Sequence, residues 1–202
     1  ARLHDLFAKE VAERTPRDNF FHCLVNAAHQ FHIHEKNGDR YILAGYPWFK
    51  CRARDMFIAL PGLTLSINER DYFELVMETA MRGLQEFMAG QPLSVKIAEI
   101  EQPDVMLWAV WCIQQYAKDA GLKACQSRYG ELLHAILSFI ESGHHPHLTL
   151  KENGLVYTEG HEKPMTWMNS MADGHPIVPR SGYIVEFNAL WYNALKFSAE
   201  MA

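Results

Sequence analysis

The sequence predicts a mainly α-helical fold, and three observations support this prediction. Apolar residues recur at three- and four-residue intervals over several long stretches, which is the period of an amphipathic helix. Glycine and proline separate these stretches, as expected at helix ends. Segments with strand character are short and lie beside turn sequences such as Asn37-Gly38 and Asn153-Gly154. We therefore expect about six or seven antiparallel helices, with one or two small β-hairpins at loop ends.

The chain begins with two predicted helices. The first covers Leu3–Arg14 and is cut by Pro16, whose ring cannot continue a helix. Asp18 is the expected N-cap of the second. Its buried face is formed by apolar residues at helical spacing, namely Phe20, Phe21, Leu24, Val25, Ala28 and Phe31.

A turn and a short strand follow. Residues 37–40 form a turn signal, and residues 41–43 have the composition of a strand. A loop then leads to Asp55, where we expect another helix to begin. Pro61 either kinks or ends that helix.

The middle of the chain predicts three strong helices. Apolar residues mark the first, which closes at Gly90; they are Tyr72, Val76, Ala80, Leu84 and Phe87. The second begins at Pro103-Asp104 and ends at Gly121. The third spans residues 125–140 and stops at Gly143.

The end of the chain predicts a hairpin, a polar loop and a last helix. The hairpin lies within residues 147–156. The loop, residues 166–180, carries carboxylates, amides and an arginine between glycines and prolines. The helix after it has an apolar face of Phe187, Leu190, Trp191, Ala194 and Leu195. Polar groups on a loop beside rigid helices are a usual way to build a functional site.

Composition excludes several classes of function. Half of the 202 residues are apolar and the net charge is only −5, so we expect neither nucleic acid nor membrane as a partner. No secretory signal is visible, and the first residue is not Met, as expected of a piece of a longer protein. The four cysteines form no CxxC pair, which predicts buried apolar thiols in a reducing, cytoplasmic compartment.

Histidines are plentiful but predict no metal site. His32 with His34, and the three histidines of residues 144–147, could each offer two ligands. No cysteine or carboxylate spacing completes a zinc set around either group. We therefore expect solvent-exposed histidines, no metal and no cofactor.

Two motifs, in the same order, resemble the glycogen debranching enzymes in their amylo-α-1,6-glucosidase part. Residues 44–49 read A-G-Y-P-W-F and residues 54–62 read R-D-M-F-I-A-L-P-G, where the family has A-G-Y-P-W-F and then G-R-D-T-F-I-A-L-P-G. Residues 166–195 match the family's T-W-M-D-A, T-P-R and V-E-I-N-A-L-W-Y-N-A-L. The resemblance covers most of the chain from about Asp18 onward.

The resemblance implies a fold and a domain organisation. The family folds as an (α/α)6 toroid, a ring of inner and outer helices, and a complete ring needs more helices than this sequence predicts. Residues 1–202 are then one partial domain holding about half of a toroid. Its open edge makes self-association possible.

The resemblance also implies an activity, the hydrolysis of α-1,6-linked glucose at branch points of glycogen-like α-glucans. Direct, inverting water attack uses an acid and a base about 6.5–9.5 Å apart. The family's acid is the Asp of T-W-M-D, and Asn169 stands there, whose amide cannot release a proton. The expected base is a Glu beyond Ala202. Asp173 is a weak substitute for the acid if residues 169–173 are helical, and otherwise a turn residue before Gly174.

Five further residues are implied to bind substrate. Arg54 and Asp55 would hydrogen-bond the terminal glucose; alternatively Asp55 is an N-cap with a local arginine partner. Arg180 and Glu186 would line the pocket, or form a salt-bridged loop with a first-turn acid. Asp104 resembles the acid of the family's D-x-x-L-W, or caps a helix.

The tryptophans divide into two groups. Trp48, Trp167 and Trp191 offer faces on which sugar rings could stack. Trp108 and Trp111 have helical spacing and are expected in the core. Residues 50–53 depart from the family's G-x-W-G and lose its tryptophan.

Three hypotheses remain open at this point. The chain is part of a debranching-type glycoside hydrolase, a catalytically dead relative that still binds α-glucan, or a helical interaction module.

Overall fold

The computed structural model describes residues 18–46 and 48–202, which contain six α-helices and three two-stranded antiparallel hairpins. The mainly-α prediction is confirmed, and the fold is that of part of a toroid. The helix predicted over Leu3–Arg14 lies outside the described residues. The hairpins number three in the described residues instead of one or two. The additional one lies in the polar loop, where two-residue strands are too short to show a hydrophobic period.

The first half of the chain contains three helices and one hairpin. Its elements are α1 Phe20–His29, β1 His32–His34, β2 Arg40–Ile42, α2 Ala53–Leu63, a 3₁₀ turn Leu65–Ile67 and α3 Arg70–Met88. The second half consists of α4 Val105–Ala120, α5 Leu122–Glu141, β3 Thr149–Leu150, β4 Val156–Tyr157, β5 Met171–Ala172, β6 His175–Pro176 and α6 Val185–Met201.

The start of α1 differs from its prediction. Asn19 is the N-cap, and its Oδ1 accepts the His22 N–H at 2.9 Å, whereas Asp18 binds the His22 ring. The helix ends at His29, and the chain then enters β1, which pairs with β2 in the register His32 to Ile42 and His34 to Arg40. Phe31 therefore lies between the two elements and not on the helix.

The helix α2 positions the first of the two sequence motifs. It begins at Ala53 with Arg52 as N-cap, so Asp55 lies in its first turn. Pro61 lies within the last turn of this helix, which ends two residues later at Leu63. A 3₁₀ turn follows at once, and the chain reverses into α3 through Asn68, which has a left-handed backbone.

The core is centred on α4, which contacts α2, α5 and α6. This explains why most of its circumference is apolar: nine of its sixteen residues are buried. Burial of one large apolar side chain stabilises the fold by about 1.5–3 kcal/mol. Trp108 and Trp111 pack edge to face, with ring centroids 5.6 Å apart, against this core, as predicted.

One helix face is less covered than its sequence predicts. Val25 and Ala28 of α1 are buried, but Phe20 is 79% exposed, and Phe21 and Leu24 are also exposed. Self-association through the open edge of the half-toroid stays a prediction. Of the four free cysteines, three are buried and Cys23 is exposed; the cytoplasmic location also stays a prediction. Among the described residues, no helix has the length and apolar character needed to cross a membrane.

Candidate functional site

Two clefts meet at the N-terminal end of α2, and Arg54 lines both of them. The first, here called the Asn169 cleft, has a volume of about 330 Å³. Its lining is mostly polar and consists of Phe49, Arg52, Arg54, Glu99, Gln102, Pro164, Thr166 and Asn169. The structure thus brings the first motif and the polar loop together around one space.

The second cleft, here called the Trp167 cleft, has a volume of about 580 Å³ and is more apolar. It is lined by Phe31, Leu43, Ala44, Gly45, Arg54, Asp55, Ile58, Ala59, Gly62, Leu63 and Trp167. An exposed carboxylate at one side and an indole at another make this cleft suited to a ligand with both hydroxyl groups and C–H faces.

Arg54 is held in place by a buried ion pair. Its Nε and Nη2 groups donate to the two carboxylate oxygens of Asp104, each at 2.7 Å, in the bidentate arrangement that guanidinium favours. The Trp108 indole also donates to Asp104, at 3.1 Å. Within the described part of the chain, no acceptor binds Nη1 of Arg54. Asp104 thus fixes the arginine and leaves part of its donor edge for the clefts.

Asp104 and Asp55 have roles different from helix capping. Asp104 is the N-cap of α4 by position, but its side chain makes no capping bond, since both oxygens serve Arg54. Within residues 18–46 and 48–202, Asp55 forms no ion pair with a neighbouring arginine; Arg54, beside it, pairs with a residue 50 positions away. Its exposed carboxylate lines the Trp167 cleft.

A tight turn directs the polar loop into both clefts. The Asn169 N–H donates to the Trp167 carbonyl at 3.0 Å, and the Met168 N–H donates to the Thr166 hydroxyl at 3.2 Å. Because of this turn, Asn169 lines the Asn169 cleft and Trp167 lines the Trp167 cleft. Trp167 is 61% exposed. The amide therefore stands at the polar cleft and the indole at the apolar one.

Arg180 and Glu186 form a second bidentate pair, between the end of the loop and the first turn of α6. Two guanidinium nitrogens donate to the two carboxylate oxygens, one of them at 2.8 Å. These bonds, chiefly, lower the pKa of Glu186 to about 2, and a smaller contribution comes from the Trp167 side chain. The pair thus matches the salt-bridge alternative, and neither of its residues lines the Asn169 cleft or the Trp167 cleft.

Asp173 lies apart from the two clefts. It occupies the turn between β5 and β6 with a positive φ of 50°, followed by Gly174 at 81°. Residues 169–173 are therefore not helical, and the condition under which Asp173 would share a helix face with Asn169 is not met. The turn interpretation is the one that the backbone supports.

The other two predicted stacking tryptophans are in unlike places. Trp48 is 83% exposed and lines neither cleft. Trp191 is buried in the core, and its indole donates to the Gly154 carbonyl at 3.2 Å. Trp167 is thus the member of the three that faces a cleft.

Four polar residues that line the Asn169 cleft were not predicted as site residues, namely Arg52, Glu99, Gln102 and Thr166. Arg52 pairs with Glu99 at 3.5 Å and stacks over the Phe49 ring at 4.7 Å. Glu99 has a φ of 62°, which is uncommon for a residue with a side chain and is often found at functional sites. No periodic pattern marks these residues because they lie in irregular segments, two of which are joined by the β-bridge between Arg52 and Ala98.

The chemistry of the two clefts is that of hydrogen bonding. The Asn169 cleft contains two guanidinium groups, two amides, a hydroxyl and the single carboxylate of Glu99. Guanidinium groups donate hydrogen bonds, a carboxylate accepts them, and amides and hydroxyls do both. The arrangement can therefore bind a polyhydroxylated ligand.

The family model described as Amylo-alpha-1,6-glucosidase matches residues 25–202, which include both motifs and both clefts. No curated protein and no solved structure gave a significant match.

Proposed function

The chain belongs to the amylo-alpha-1,6-glucosidase family, and from this premise we propose that its two clefts bind the terminal glucose at an α-1,6 branch point of a glycogen-like α-glucan. The chain would serve as part of a debranching-type glycoside hydrolase. In the protein as a whole, the glucose is released by direct attack of water with inversion. No cofactor is needed for this reaction.

The convergence of Arg54, Asp55, Trp167 and Asn169 on two adjoining clefts supports the proposal most directly. The residues come from motifs more than a hundred positions apart in the sequence. A sugar ring offers hydroxyl groups at its edge and C–H groups on its faces. Asp55 can accept from hydroxyls, Arg54 can donate to them, and the Trp167 indole can cover a ring face.

Asn169 decides between two forms of the proposal. In the family this position carries the acid that protonates the leaving oxygen. An amide can donate a hydrogen bond to that oxygen but cannot transfer a proton. The second candidate function is therefore a relative that binds the branched α-glucan without cleaving it.

Neither remaining carboxylate replaces the acid well. Glu99 lies in the same cleft but is paired with Arg52. Asp173 lies in the exposed β5–β6 turn. The resemblance assigns the general base to a Glu further along the family sequence. We therefore propose that the described part supplies binding and orientation, while proton transfer depends on residues outside it.

Substitution Asn169→Asp in the full-length protein tests the proposal. Glucose release from a branched limit dextrin is measured, with Asn153→Asp, in the exposed turn between β3 and β4, as the matched control. If only the acid is missing, Asn169→Asp should raise the rate by about 10²-fold or more, the usual contribution of a general acid, and Asn153→Asp should not. A folded variant that binds dextrin without cleaving it supports the binding candidate. Absence of dextrin binding in every variant would contradict both.

A further inference from the structure

Three side chains that could bind a metal meet near the C-terminal end of α2. They are His29 at the end of α1, His32 in β1 and Glu69 just before α3. One potential ligand atom from each lies within 4.8 Å of the others. The His29 Nε2 atom is 2.5 Å from Oε1 of Glu69, and His32 Nδ1 is 3.7 Å from its Oε2.

The orientation of His32 is fixed by its other ring nitrogen. Its Nε2 atom is 2.9 Å from the Leu63 carbonyl oxygen, which can only accept, so Nε2 must carry the hydrogen. The ring also stacks on Tyr72 at a centroid distance of 4.0 Å. The Tyr72 hydroxyl in turn donates to two backbone carbonyls of the β1–β2 hairpin region, at 3.1 and 3.3 Å. The other ring nitrogen, Nδ1, therefore lies on the side of Glu69, 3.7 Å from its Oε2.

This arrangement is typical of a metal ligand. Histidines that bind metals commonly donate their second ring N–H to a carbonyl, which sets the tautomer and the ring orientation. With the hydrogen on Nε2, the Nδ1 atom of His32 is 3.7 Å from Oε2 of Glu69, and a cation between these two atoms would contact both.

We propose that His29, His32 and Glu69 bind a divalent transition metal ion, with Zn²⁺ the best match to two imidazoles and one carboxylate. Zinc bonds of about 2.0–2.2 Å in tetrahedral geometry separate ligand atoms by about 3.3 Å. The separations of 2.5 and 3.7 Å between the histidine nitrogens and the Glu69 oxygens bracket this value. Water would occupy the fourth position.

The metal would join parts of the chain that are distant in sequence. It links α1 and β1 to the segment between α2 and α3. The carbonyl that holds His32 belongs to Leu63, which lines the Trp167 cleft. The ion would thus steady one wall of that cleft without contacting a ligand in it.

The test is a Co²⁺ titration of the full-length protein after treatment with a chelator, followed by competition with Zn²⁺. We expect the visible absorption that is typical of tetrahedral cobalt. Part of this absorption should saturate at one ion per chain, and that part should depend on these three residues. His32→Ala and Glu69→Gln should each weaken binding at least about tenfold, since even changes beyond the ligands cost that much. His34→Ala is the matched control: its exposed ring stacks on the same Tyr72 but is not a ligand, and its affinity should be unchanged.

Two results would overturn the inference. One is saturation that is unaffected by Glu69→Gln in a protein whose far-ultraviolet circular dichroism matches the wild type. The other is a loss in His34→Ala equal to that in His32→Ala, which would indicate general histidine binding. Glu69→Gln keeps the shape of the side chain, so its folding separates a lost ligand from a lost structure.

Discussion

The two bidentate arginine–carboxylate pairs beside the clefts have the same chemistry in unlike environments. Arg54 and Asp104 join α2 to α4 across 50 positions, and their side chains are only 9% and 5% exposed. Arg180 and Glu186 are six positions apart, and their side chains are 23% and 41% exposed. The first pair belongs to the core, and the second to the edge of a loop.

The difference teaches how this site is built. A buried pair contributes little net stability when intact, but loss of one partner leaves an uncompensated charge in the core. An exposed pair is weak because water screens it. We infer that Arg54 is fixed rigidly by the core, whereas the Arg180–Glu186 pair holds the end of the polar loop more loosely.

The largest expected effect is a difference in the free energy of unfolding between isosteric substitutions of the two acids. Asp104→Asn should lower the free energy of unfolding by about 3 kcal/mol or more, because it leaves the Arg54 guanidinium buried without a counter-charge. Glu186→Gln should cost about 1 kcal/mol or less. Urea denaturation of both variants measures this, and equal losses would show that burial does not separate the pairs.

The next largest effect is expected on ligand affinity and not on stability. Trp167→Ala should weaken binding of a branched limit dextrin about fivefold, corresponding to about 1 kcal/mol of lost stacking. Trp48→Ala is the control, because it removes an even more exposed indole that lines neither cleft. Calorimetric titration distinguishes them; the same affinity in both variants would remove Trp167 from the site.

The smallest expected effect is a pH dependence of the stability that the Arg180–Glu186 pair contributes. The pKa of Glu186 is lowered to about 2 from an ordinary value of 4.5. The folded state therefore binds fewer protons than the unfolded state between these values. The stabilisation from this pair is complete above pH 4.5 and is lost as the pH falls towards 2.

The matched measurement compares acid unfolding of the wild type and Glu186→Gln. Between pH 5 and pH 2, the stability difference between them should shrink by at most about 1 kcal/mol, because the side chain is 41% exposed. A difference that does not change with pH would contradict the assigned role of Arg180.

The long helices could be predicted because their burial follows a local period. The helix α4, for example, was predicted between Pro103-Asp104 and Gly121, and it spans Val105–Ala120. The Arg54–Asp104 pair could not be predicted in this way, since a single sequence contains no sign of which acid meets which arginine. The alternatives offered for these residues were local capping contacts, and the actual partner lies 50 positions away.

The resemblance to a family identified residues that periodicity could not. It singled out Asp55, Asn169 and Trp167, which line the clefts, but also Asp173 and Trp191, which do not. Glu99 escaped both approaches because it lies in an irregular loop outside the matched motifs. Glu69 was not predicted as a metal ligand because it lies 37 positions after His32, and no local spacing relates the two residues.

The central claim is that the clefts around Arg54 bind a branched α-glucan. The most direct test is the affinity of the full-length protein for a branched limit dextrin after Asp55→Asn. Its control is Asp71→Asn, because Asp71 is likewise an exposed acid in the first turn of a helix, but it lines neither cleft. We predict that Asp55→Asn weakens binding by about tenfold or more, the effect of one lost charge-assisted hydrogen bond, and that Asp71→Asn leaves it unchanged. Unchanged affinity in both variants would contradict the claim.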